Sequence, residues 1–272
     1  MKGSEVGNGL QHRAWWGEFS IAMQSMGCWH IGPLEIWAQH MAGEWRLAWR
    51  SGEELMQPVA RVELDVPIRQ PEPGMQICRF SMRETGKPLW LLPALADRPV
   101  VVRPETALSI PSGEEVTLFV STTLWVAVYA NPQAPMLIEM PSLRPSDTWF
   151  GPNTRQGELC YASRTLAHTQ IENVVPRPHR AVTPVQIRNH GNEALLLERL
   201  SVPVPLLTLY QNEAGDFWTQ SIMLERTGRD DQARLHLGNV PLPAGMAARQ
   251  VAAPRQLDDD SSMFRALSRF FG

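Results

Sequence analysis

The chain is short of cysteine, of charge of one sign and of long apolar runs, and each shortage removes a class of protein. Three cysteines, Cys28, Cys78 and Cys160, stand far apart in 272 residues. An odd, sparse set builds no disulfide framework, so a reducing cytoplasm is the expected compartment and buried thiols acting as small apolar groups are the plain reading. The formal net charge is −3, and no run of Lys or Arg exceeds two residues. A surface that neutralises phosphates needs concentrated basic charge, so no nucleic-acid partner is expected. The most apolar long stretch, VTLFVSTTLWVAVYA at 116–130, contains Ser121, Thr122 and Thr123 and is too short to span a bilayer. The opening MKGSEVGNGLQHRAWW has no apolar core of the kind that directs secretion.

Catalytic signatures are equally scarce. There is no Gly-x-Ser-x-Gly elbow and no phosphate loop, and the glycines of GSEVGNG follow no strand. Cys28 and His30 share a strand face and His40 follows after a turn, a borderline set of ligands that falls short of a metal centre. Asp147 could pair with Glu158 or Asp216 as two carboxylates, but glycoside hydrolysis needs a defined separation that sequence does not show. The expectation is therefore no enzyme, no metal and no cofactor.

What is present is alternation. In EWRLAWRS, Trp45, Leu47 and Trp49 share one face and Arg46, Ala48 and Arg50 the other. Ala60, Val62, Leu64 and Val66 oppose Arg61, Glu63 and Asp65, and Cys78, Phe80 and Met82 repeat the scheme. Period two belongs to half-buried antiparallel strands. Twenty-three prolines and nineteen glycines are scattered throughout and leave no room for long helices. Gly32-Pro33, Pro111-Ser112-Gly113 and His190-Gly191-Asn192 read as hairpin turns. The sum is an all-β, antiparallel β-sandwich. A boundary is placed near 95, giving a Trp-rich β-meander domain at 1–95 and an immunoglobulin-like β-sandwich domain at 96–240; one continuous two-sheet body is the alternative. Residues 241–257 read as a flexible connector.

The tail, 258–272, reads as a short amphipathic C-terminal helix. Asp258 to Ser262 would cap it; Met263, Phe264, Leu267, Phe270 and Phe271 form its apolar stripe, with Arg265, Ser268 and Arg269 opposite. A helix this short is unstable alone. Three readings stay open: it folds back on its own body, docks in the groove of a partner protein, or lies on a membrane surface.

The second site candidate is SDTWFGPNTRQGELCY at 146–161, with Arg164 just beyond. It mixes aromatic, charged and turn-forming residues with neither a strand's alternation nor a helix's period. One reading is a buried corner in which Arg155 and Arg164 pair with Glu158 or Asp147. The other is a binding surface built from Asp147, Trp149, Arg155, Glu158, Tyr161 and Arg164, since Trp, Tyr and Arg dominate binding hot spots. The ten tryptophans also admit a carbohydrate-binding or carbohydrate-active β-sandwich as the rival function.

The run SDTWFG-NT--GELCYA-RT, with RPVVVRPE, FVSTTLWV, AVTPVQIRN-G-E-LLLERL-VPVP-L-LY and FWTQ, resembles the prokaryotic family catalogued as domain of unknown function 432, over about residues 15 to 225. The resemblance brings with it no established activity. It implies a protein that accompanies small-conductance mechanosensitive channels, hence a partner that is membrane-associated. The tail lies outside the recognised part. The expected function is non-catalytic binding to another protein, through the tail and the 147–164 loop, on the cytoplasmic side of a membrane.

Overall fold

The computed structural model describes residues 14–53, 60–83, 87–151, 155, 157–226, 232–241, 246–257 and 262–266. These residues form twenty-two strands and two single 3-10 turns. In chain order the first seven strands are β1 (Gly17–Phe19), β2 (Ser25–Ile31), β3 (Leu34–Met41), β4 (Glu44–Ser51), β5 (Ala60–Pro67), β6 (Gln76–Ser81) and β7 (Leu89–Ala94). The next seven are β8 (Val100–Pro104), β9 (Leu108–Ile110), β10 (Glu115–Thr123), β11 (Trp125–Tyr129), β12 (Ile138–Pro141), β13 (Ser146–Phe150) and β14 (Glu158–Ala167). The last eight are β15 (Arg180–Asn189), β16 (Leu195–Leu197), β17 (Leu200–Val202), β18 (Leu209–Asn212), β19 (Phe217–Arg226), β20 (Gln232–Pro241), β21 (Ala248–Ala252) and β22 (Ser262–Ala266). The all-β architecture read from the alternation is present.

The meander is a five-stranded antiparallel sheet, β5-β2-β3-β4-β6. Its inner face carries Trp29, Ile31, Leu34, Ile36, Trp45 and Leu47, all buried, as the period-two pattern requires. Its outer face holds a smaller cluster of Met26, Cys28, Trp37, Ala48 and Met75. Val66 joins that outer cluster rather than the face of Val62 and Leu64. The cause is a register shift in β5 between its Met26 and Cys28 partners. Asp65 there takes φ 56, and its carboxylate accepts from Ala22 N at 2.7 Å and Ser25 Oγ at 3.2 Å. A bulge inserts one residue and flips every later side chain.

Of the three glycine turns, only Gly32-Pro33 closes a hairpin, joining β2 to β3. Pro111–Gly113 and His190–Asn192 are corners at which the chain changes sheet, since β9 pairs with β16 and β10 with β15. Asn189, fully buried, ties both corners together. Its Nδ2 donates to Ile110 O at 2.8 Å and Glu193 O at 2.9 Å, and its Oδ1 accepts from Gly191 N at 3.1 Å.

The second half departs from the expectations above. An immunoglobulin-type sandwich is antiparallel throughout, whereas β8 runs parallel to β14 and β15 parallel to β19. The sheets here are mixed, so the immunoglobulin-like detail fails. Alternation reports which face a side chain takes and is blind to strand direction. The tail is not helical over its described part: β22 pairs antiparallel with β20, from Gln232↔Ala266 to His236↔Ser262. A single short helix loses to an available strand edge whose unpaired amides and carbonyls a neighbouring chain segment satisfies. Phe264 lies in β22; Leu267, Phe270 and Phe271 lie outside the described residues. The stretch expected to be a connector carries β21, antiparallel to β18. It is then tied down at Arg255, whose Nε donates to Leu95 O at 2.6 Å and whose amide bonds Pro205 O at 2.9 Å.

One contiguous apolar cluster runs from Trp29 and Leu47 in the meander through Leu91, Leu118 and Val126 to Val185, Leu200 and Ile222. Each such side chain contributes about 1.5–3 kcal/mol when fully buried. The meander meets the rest at Gly32. That residue has φ +57, and a β-carbon on it would lie 2.1 Å from His179 Nδ1. Glycine is demanded twice, by conformation and by contact. Gly32→Ala should therefore lower stability in urea unfolding by about 2–4 kcal/mol, combining left-handed strain with displacement of a buried ring. Gly74→Ala is the control: φ is +88 but nothing lies within 4 Å, so only the strain of roughly 1 kcal/mol should appear. Equal losses at the two positions would refute the docking role of Gly32.

Candidate functional site

The 146–161 stretch is a hairpin. β13 pairs antiparallel with β14, placing Asp147 opposite Tyr161 and Trp149 opposite Leu159. Those four residues share one face; Phe150 and Cys160 share the other, where they pack on Val101. The hidden face explains why the segment folds against the body. The other face is unusual, because Trp149 is 44% and Leu159 45% exposed. Gly157 makes room for the indole: a β-carbon there would meet Trp149 Nε1 at 2.7 Å.

A cluster forms around Tyr161. Because β14 runs parallel to β8, and Tyr161 N donates to Pro99 O at 2.9 Å, the Asp97-Arg98 pair just before β8 arrives beside the ring. Tyr161 OH donates to Asp97 Oδ1 at 2.9 Å. The Arg98 guanidinium sits 5.2 Å from the ring centroid, 3.1 Å from Asp147 Oδ1 and 3.8 Å from Asp97 Oδ2. Trp125 packs on the same ring, with centroids 5.5 Å apart. Burial, reinforced by the Asp97 carboxylate, raises the Tyr161 hydroxyl above its usual range. It stays protonated as a donor.

These residues border a cleft of about 280 Å³ whose lining includes residues of the meander. Trp49 of β4 and Gln76 of β6 line one side; Trp125, Arg98 and Tyr161 line the other; Glu139 and Arg144 complete it. Glu139 is held by Arg255 in an ion pair. The site is thus assembled from strands spread between residues 49 and 161, with the Arg255 segment as a brace.

The predicted residues divide. Asp147 and Tyr161 meet in the cleft, and Trp149 flanks it. Glu158 lies at the hairpin's closed end, opposite Phe150, on the other face. Arg155 lies in the hairpin loop. Arg164 falls in the irregular part of β14 between Ala162 and Leu166 and borders a separate small recess beside Arg180. The partner of Asp147 is Arg98, 49 residues away in sequence, and neither Arg155 nor Arg164. Arg98, Trp125, Trp49 and Arg144 were missed altogether. The one available signal was the charged pair Asp97-Arg98 directly ahead of an apolar strand.

The other chemistry considered does not assemble. His40 faces away from Cys28 and His30, stacked on Trp45 at 4.4 Å with Nδ1 2.7 Å from Ile21 O. Among the described residues no group of three or more His, Cys, Asp or Glu side chains is placed to hold a metal ion. Asp216 is tied into the β18–β19 turn, its amide donating to Asn212 Oδ1 at 2.8 Å, so it does not join Asp147.

No curated protein and no solved structure matches the chain. One family model does, over residues 15–271, and so extends past β21 through β22.

Burial raises the Cys28 and Cys160 thiols to about 11, so neither is a nucleophile near neutral pH. Both should resist a thiol-reactive disulfide reagent in the folded protein while the partly exposed Cys78 reacts. Unfolding should release all three. A folded pKa raised above the unfolded value gives a contribution fully present below about 9 and lost as pH rises toward 11, so stability should fall across that window. Rapid native-state labelling of Cys160 would contradict this.

Proposed function

The chain belongs to the family described as a protein of unknown function, DUF432, whose model matches residues 15–271, and on that footing we propose that it is a non-catalytic binding protein that engages another protein through the exposed face of β13–β14 and the cleft beside it. The observation that carries this reading is the composition and exposure of that face. Trp149 and Leu159 stand about half in solvent on a strand pair whose other side is packed. An arginine stacked on a tyrosine adjoins them. Exposed aromatic anchors beside an arginine–tyrosine–carboxylate network have the composition of protein–protein hot spots. The groups nearby suit binding better than reaction. The thiol of Cys160 is held neutral, Tyr161 is held as a donor, and Arg98 is committed to two carboxylates.

The sugar-binding rival has less support, because six of the ten tryptophans (15, 29, 37, 45, 125 and 218) are buried and Trp149 is the one exposed among them. A row of indoles for stacked sugars is not formed. The family resemblance makes a membrane protein such as a mechanosensitive channel the first partner to try, with this chain at its cytoplasmic side; no helix of the described residues is long and apolar enough to cross a membrane itself.

Affinity capture from cells, read by mass spectrometry, tests the reading with three full-length variants. Trp149→Asp and Leu159→Asp should lose the partner, each by at least about 2 kcal/mol or roughly thirtyfold in affinity. Leu196→Asp, at an exposed leucine of β16 on a different surface, should retain it. If all three variants capture the same proteins as the parent chain, the hairpin face is not the binding surface.

A further inference from the structure

We draw no further inference here: the strongest candidate, the cleft of about 760 Å³ lined by Trp15, Trp16 and Phe217 beside the β18–β19 turn, offers one cation and one anion, Arg249 and Glu213, and nothing in the structure shows what covers it.

Discussion

The contact of the Gly32 turn against His179 is the constraint on which the remaining architecture depends. Residues 178–180 form a node. Pro178 O accepts the Trp15 indole N–H at 2.9 Å. His179 O accepts Leu124 N at 2.9 Å and Ser142 Oγ at 3.2 Å. Ser142 O in turn accepts Ser51 Oγ from the end of β4. Trp15 just ahead of β1, the meander, the β10–β11 junction and the approach to β13 are therefore tied to one short segment. A side chain at position 32 would lift the meander from this node and, with it, the wall of the cleft that carries Trp49 and Gln76.

The fold was readable where one element's pattern decides its fate. The alternation of Trp45, Leu47 and Trp49 against Arg46 and Arg50 survives intact, because a sheet with one face in the core enforces period two on every strand within it. It failed where a non-local event intervenes. Nothing in ARVELDVP announces that Asp65 will adopt a left-handed backbone to reach Ala22 and Ser25, yet that one event moves Val66 to the opposite face. Strand direction was hidden for the same reason. The corners at 111–113 and 190–192 resemble hairpin turns locally, and only Asn189, bonding across both, reveals that the chain is crossing between sheets. The tail shows the converse: its helical stripe was a real periodicity, but edge pairing with β20 outweighs it over Ser262–Ala266.

The site was half legible. Asp147, Trp149 and Tyr161 stood out by residue type, and the hairpin brings them to one face. Their partners did not, because Arg98, Trp125 and Trp49 come from other strands and reach Tyr161 only through the β8–β14 pairing and the meander's docking. The electrostatic result is economical. One guanidinium hydrogen-bonds Asp147, lies near Asp97 and covers an aromatic ring. The tyrosine is thereby locked in place as a fixed wall, and little ordering remains for a binding partner to impose.

The two parallel pairings have a consequence for how the polypeptide acquires this shape. Parallel strands cannot be joined by a tight turn. The β8–β14 ladder matches Val100 with Tyr161, and β15–β19 matches Ala181 with Phe217, so each waits for a long intervening stretch to be synthesised and brought round. The entropy of closing such loops is spent before the pairing returns anything, which makes folding slow. During that interval the meander, whose ladders join β2, β3 and β4 through tight turns, is able to form early and offer a template. On the ribosome, the amino-terminal sheet would stand assembled with its inner tryptophans uncovered until the downstream strands emerge to cover them.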